Sequence, residues 1–438
     1  MNTNNNTSQL NRTLGPVMLW GLGVGYVISG MYFGWNLGLK EGGTLGLGIA
    51  VFFVMIMYIT FSLSYTELAC AVPKAGGAFD YAMRALGPQW GFVAGLAQII
   101  EFVFAPPAIA LGIGAYFNLL FPQIDVLVFA ISAYLIFTSL NILGVKASAT
   151  FELFITIVAV VELLIFCGFT LPHFNADRFV QNPFPNGIPG IFAAIPFAIW
   201  FFLGLEGIAN VAEETINPQK NITKGFGSAM ATLAVLASLV FISAVGVDGW
   251  ESVVYNAKGE VSDSPLPIAL SHITGNGGLF YHLLISIGLF GFIASFNGLL
   301  LAAGRATYEF GKAEFAPKIL GKINPRFKTP HIALLVNMCI GIATLFTGAT
   351  GDIITIATFG ALSLYIISSF SLIALRKKEP GLERPFRVPA FPLFPIVAII
   401  IATIALVAMA VFNIMLFIYF VAIMLAGYIY FTLVVKKN

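Results

Sequence analysis

The chain has 438 residues, of which 58% are hydrophobic and only 10% charged. Soluble domains carry roughly 25% charged residues, so this composition excludes a soluble protein and points to a polytopic membrane protein. The net charge of +2 is spread over loops and lends no support to nucleic-acid binding.

Residues 1–15 open with an Asn-rich stretch (2–11). They are expected to form a disordered cytoplasmic tail; a basic n-region and a small-residue cleavage site, the marks of a signal peptide, are missing. Apolar runs of about 18 or more residues then give twelve expected spans. They lie near 17–39, 45–71, 89–119, 124–142, 150–171, 190–212, 226–247, 279–304, 331–348, 353–375, 391–411 and 414–435. These spans leave no room for a separate soluble domain, so 16–438 reads as one integral membrane domain. With the N-terminus inside, all of the 22 Lys and Arg but Lys40, Arg178 and Lys258 fall on one side. The positive-inside rule then makes both termini cytoplasmic. Cys70, Cys167 and Cys339 lie in or at the edge of apolar spans and read as small packing residues, with no disulfide framework or metal spacing.

The first span contains "VISGMYFGWNLG" (27–38), with Ser29-Gly30 at its middle and further glycines at 25, 34 and 38. Glycine costs a helix interior about 1 kcal/mol relative to alanine. Irregular backbone is tolerated inside a bilayer only where it faces protein or a water-filled cavity. The sixth span repeats the feature at Gly204, Glu206 and Gly207. Any one of these glycines could simply let helices pack closely. Matched breaks five spans apart instead suggest a LeuT-like all-α fold. It would have two inverted five-helix repeats (about 16–171 and 190–375), helices 1 and 6 broken, and helices 11 and 12 (about 391–435) appended.

Charges within spans are costly and usually functional. Glu67, at the cytoplasmic end of span two, is expected to snorkel or pair with a loop cation. Glu101 sits about 18 Å into a roughly 30 Å core. Its helical neighbours Ala94, Ala97, Ala105, Ala108 and Gly112 form a small-residue face, opposite Phe92, Ile99, Phe102, Val103 and Ile109. Glu101 should therefore face the bundle, either as a neutral hydrogen-bonding acid or as counter-ion to a cationic ligand. Glu162 lies mid-span, with structure and ion coupling both open. Asn297 in span eight is open between interhelical hydrogen bonding and a pocket role.

Four further segments occur in order: "ELACAVPKAGGAFDYAMRALGPQWGF" (67–92), "NILGVKASATFE" (141–152), "AEETINPQKNITKGF" (212–226) and "AAGRATYEFGKAEFAPKILGKINPRFKTP" (302–330). Together they resemble the amino acid–polyamine–organocation (APC) family of secondary transporters over roughly 15–435. "ISGMYFGWNLGL" and "IIEFVFAPPAIALGIGAYF" look most like its ethanolamine permease subgroup. The resemblance implies import of a small organic cation, ethanolamine foremost, across the cytoplasmic (inner) membrane by alternating access. An amino-acid or polyamine permease or antiporter is the alternative.

By the same resemblance, Glu101 matches a position beside the substrate's cationic group, and Trp200 an aromatic lid. Glu206 matches a glutamate linked to gating and proton sensitivity. The substrate hydroxyl would use backbone at Ile28, Ser29 and Gly30, while Tyr32, Trp200 and Phe201 add cation–π attraction near the Gly204 break. Gating or coupling falls to Glu206, Glu162 and Trp200. Some proton-coupled relatives use a lysine in span five, but no lysine follows Lys146 there, so H+ and Na+ both stay open as driving ion. Catalytic residues, metals and other cofactors are not expected: His173, His272, His282 and His331 sit in loops or at span ends. The implied partners are the small-molecule substrate and the lipid bilayer, with a homodimer left open.

Overall fold

The computed structural model describes residues 12–144 and 149–435. The described residues are helical apart from loops and two isolated β-bridges. In chain order the helices are α1 (Pro16–Val27), α2 (Ser29–Tyr32), α3 (Trp35–Ala71), α4 (Ala78–Leu86), α5 (Pro88–Leu120), α6 (Val126–Ile142) and α7 (Ala149–Thr170). Next come α8 (Ala176–Phe179), α9 (Gly187–Ala193), α10 (Ile195–Trp200), a 3-10 segment (Leu205–Glu214), α11 (Pro218–Asp248), α12 (Glu251–Val254) and α13 (Pro265–Thr274). The chain ends with α14 (Leu279–Lys312), α15 (His331–Leu345), α16 (Thr350–Lys378), α17 (Leu393–Phe412) and α18 (Ile414–Tyr430). Among the described residues nine helical stretches are long and apolar enough to cross a membrane, and Pro16–Val27, Val126–Ile142 and His331–Leu345 are shorter apolar helices.

Helix α5 is the axis of the bundle, packed against α4, α6, α14, α15, α16 and α18. Both of its faces are covered. Phe92, Phe102, Val103 and Ile109, expected opposite the small-residue face, are as buried as Ala94, Ala97, Ala105 and Ala108, and only Ile99 is partly exposed. Periodicity could not show this, because a helix enclosed on nearly every side has little lipid-facing surface to pattern. Helices α17 and α18 are the reverse: only 28% and 11% of their apolar windows are buried within the protein, so their remaining apolar surface suits lipid.

Several boundaries differ from the sequence expectation. The end of span one runs directly into span two as α3, bent where Gly43 turns to φ +66°, ψ −171°. Span seven begins at Pro218 and span eight ends at Lys312, so both absorb segments expected to be loops. Residues 1–11 of the expected tail, and Lys146 within the span-four motif, lie outside the described residues. Thr13 and Leu14 do not form a free tail: both backbone N–H groups bond the Glu214 carbonyl (2.9 and 3.0 Å), and Leu14 is buried.

Candidate functional site: a buried acid pair at two broken helices

The first span loses one helical hydrogen bond before it breaks. The Ser295 hydroxyl of α14 donates to the Gly25 carbonyl (2.7 Å) and accepts the Ser29 N–H (2.9 Å). It thus replaces the Gly25–Ser29 helical bond, an insertion that bends or breaks helices. Ser29–Tyr32, expected to be the unwound centre, is a single helical turn. The backbone leaves the helix one turn later, with Phe33 extended (φ −160°, ψ 174°) and Gly34 at φ +85°. L-residues with a Cβ rarely adopt that second conformation.

In the sixth span the helix stops at Trp200, and Gly204 takes φ +98° before the 3-10 segment. The two breaks touch. A Cβ on Gly30 would run into the Trp200 carbonyl oxygen and meet Phe201 Cα at 3.4 Å. Gly30 is therefore small to let the two broken helices meet. Gly207 packs against the Tyr26 ring, the ordinary use of a membrane glycine.

Glu101 is fully buried, and neither carboxyl oxygen has a hydrogen-bond partner among the described residues. It lies beside the Glu206 side chain and the Gly204 backbone amide. Glu206, also buried, accepts from the Tyr365 hydroxyl (3.2 Å), which bonds Tyr58 (2.8 Å). Gly360 brings α16 against the Ala97 carbonyl and the Glu101 amide nitrogen; a bulkier residue there would hold Tyr365 away. One turn from Glu101, Gln98 donates to Asn210 (3.3 Å). No Lys, Arg or His pairs with either acid among the described residues. Two like charges in so little solvent repel strongly, so the pair calls for a cation or a shared proton.

The other expected site residues divide among separate clusters. Trp200 is buried edge-on to Phe33 (5.6 Å between centroids), with an indole N–H that has no partner among the described residues. Phe201 stacks on Trp35 at 5.7 Å. Tyr32 is directed elsewhere: its hydroxyl donates to Glu162 (2.6 Å) and to the Ala159 carbonyl (3.1 Å). Its ring packs against Tyr116 and Phe292. Tyr32 is therefore not grouped with Glu101, and Glu162 ties α7 to the first break. Asn297 accepts from Asn141 (3.0 Å) and is likewise an interhelical tie. It adjoins Glu152, a buried carboxylate that stands at the end of a loop motif in sequence.

Glu67 is fully buried rather than snorkelling. It receives two bonds from Arg376 (2.8 and 2.6 Å) and the Val388 N–H (2.7 Å), with Arg384 at 3.4 Å. Outside the spans, the Arg84 guanidinium on Glu379 (2.6 and 2.9 Å) holds that carboxyl below its ordinary range. Ser295, Tyr58, Tyr365, Gln98 and Asn210 were not anticipated, because isolated hydroxyls and amides in apolar runs carry no periodic signal. Glu152 could have been found by extending the carboxylate search to the edge of span five.

The amino acid permease family model matches residues 14–434. An uncharacterized transporter, R00093, of Rhizobium meliloti (strain 1021) is 28% identical over 85% of this chain and 80% of its own length. The branched-chain amino acid permease BcaP of Bacillus subtilis (strain 168) is 26% identical over 87% and 85%. The methylthioribose transporter of the same strain is 27% identical over 88% and 86%. With the apolar helices around a buried polar centre, this match over nearly the whole chain makes the protein a multi-pass membrane transporter, not an enzyme, belonging to the amino acid permease family of the APC superfamily.

Proposed function

We propose that this permease imports a small organic cation, ethanolamine foremost, held by its ammonium group between Glu101 and Glu206. The observation that carries this reading is the acid pair itself: two buried carboxyls at the broken helices, with no basic side chain among the described residues to neutralise them. An ammonium ion there would relieve the repulsion that the pair otherwise carries. The substrate hydroxyl would compete for backbone at the breaks near Ile28, Ser29 and Gly204, where a side-chain hydroxyl, that of Ser295, holds the Ser29 N–H. Trp200 and Phe201, whose backbone meets Gly30 where the two broken helices touch, would close over the substrate, with Trp200 as lid.

Transport would follow the LeuT-like plan of two inverted repeats within twelve spans, with both termini cytoplasmic in the cell membrane. Spans 1, 2, 6 and 7 would rock against 3–5 and 8–10. Glu206 is the gating acid, since Tyr365 links it to α16. The cationic amino acid transporter 4 of Arabidopsis thaliana, 25% identical over 86% of this chain and 65% of its own length, is by its name a carrier of positively charged cargo. An amino acid is the second reading, favoured by the names of that relative and of BcaP.

Labelled ethanolamine uptake into proteoliposomes, under imposed proton and sodium gradients in turn, tests the proposal. Saturable accumulation against a gradient supports it and identifies the driving ion. No uptake of ethanolamine alongside uptake of amino acids would replace it with the second reading.

A further inference from the structure

A second carboxylate, remote from the acid pair, stands in a recess of its own. Glu162 of α7 lines a small hollow with Tyr32, Tyr116 and Phe166, roofed by Leu266 and Leu270 of α13. Tyr116 is 15 residues beyond Glu101 on α5, a rise of about 22 Å. The aromatic series Tyr32, Phe292, Phe33 and Trp200, with successive ring centroids 5.2–5.6 Å apart, lies between the two places.

Glu162 receives one hydrogen bond among the described residues, from Tyr32 to Oε2, and forms no ion pair there. Its other oxygen thus retains acceptor capacity inside a hollow walled by aromatic rings and aliphatic carbons. That chemistry suits an ammonium group: a carboxylate for the charge, ring faces for cation–π attraction, and apolar walls that give a competing water few partners. The hollow has room for about one water-sized group, which matches an ammonium head and excludes a bulky side chain. It lies beneath the loop helices between spans seven and eight, external in the proposed topology.

We infer that this recess is a second, outer binding site for the ammonium group of an organic cation, with Glu162 as its counter-ion. The inference rests on the cation-transport reading above. Tyr32 makes the site consequential. It bonds Glu162 through its hydroxyl, and its carbonyl accepts from the Tyr116 hydroxyl (3.2 Å). It is also the last residue of the helical turn before the first break. An occupant of the outer site therefore touches the residue on which the break turns.

The test is equilibrium binding of labelled methylammonium to the purified full-length chain in lipid nanodiscs, with Glu101→Gln as the parent of every variant so that the central acid pair, itself an ammonium site in the reading above, does not hold the probe. Glu162→Gln, which can still accept the Tyr32 bond, should weaken binding at least tenfold. Tyr32→Phe, which loses that bond but keeps the charge and the ring, should stay within threefold of the Glu101→Gln parent. Glu101→Gln by itself should retain the methylammonium binding that adding Glu162→Gln removes, whether or not ethanolamine is the cargo of the central pair. Ile285→Trp, which fills the hollow without altering the carboxylate, should abolish the same binding, and it decides the matter if Glu162→Gln does not fold. Four results would each overturn the inference: no methylammonium binding by wild type at millimolar concentrations, none by Glu101→Gln, binding after adding Glu162→Gln within threefold of the Glu101→Gln parent, or a loss on adding Tyr32→Phe equal to that on adding Glu162→Gln.

Discussion

Replacing Glu101 by Gln removes one charge from the acid pair while keeping nearly the same shape. Glu101 is fully buried beside Glu206 and the Gly204 backbone amide, and Gln keeps its shape, so the change acts chiefly through charge. A unit charge about 4 Å from another is worth roughly 4 kcal/mol at an effective dielectric of 20. Removing one partner of a buried pair typically costs about 3–5 kcal/mol. At about 1.4 kcal/mol per decade, ethanolamine affinity should fall by roughly two to three and a half decades.

The ligand-free protein should respond in the opposite sense. Glu101→Gln relieves repulsion with Glu206, and the new amide can donate to that carboxylate, so thermal stability should hold or rise. Scintillation-proximity binding and an unfolding curve on the same purified preparation read both effects. A Glu101→Gln protein that binds ethanolamine within threefold of wild type, or that loses stability and binding together, would refute the reasoning. Glu101 would then be a structural residue.

Gly30→Ala should strongly impair uptake while the protein still reaches the membrane, because its Cβ would strike the Trp200 carbonyl; near-normal uptake would show that the breaks tolerate separation. Ser295→Ala strands the Gly25 carbonyl and the Ser29 N–H, at a cost of about 1–3 kcal/mol if both stay unpaired, read as a lower unfolding midpoint. An unchanged midpoint would mean that the ordinary helical bond has re-formed. Glu67→Gln leaves the Arg376 and Arg384 charges without their buried partner and should destabilise by about 3–5 kcal/mol, with substrate affinity little changed; a selective affinity loss would contradict a structural role. Trp200→Leu should slow translocation or weaken affinity more than Trp200→Phe, and two variants indistinguishable from wild type would remove the lid.

Composition and hydropathy were enough to establish a polytopic helical protein, because burial in lipid demands long apolar runs and internally satisfied backbone. Local chemistry also marked the places where regular structure fails. Glycines at 30, 34 and 204 and carboxylates at 101, 162 and 206 are too costly in apolar helices to be incidental, and each proved to sit at a break or in a buried polar cluster. Which of them meet was decided by tertiary structure alone. Nothing along the chain shows that Ser295, more than 260 residues downstream, supplies the hydroxyl that opens the first helix. Nor does it show that Tyr32 turns to Glu162 while Glu101 meets Glu206. Helical periodicity reports a direction around one axis, whereas a site between helices depends on how several axes are packed. That packing is set by the summed shape of many small contacts, such as Gly30 on Trp200 and Gly360 on Glu101, and no single residue type announces it.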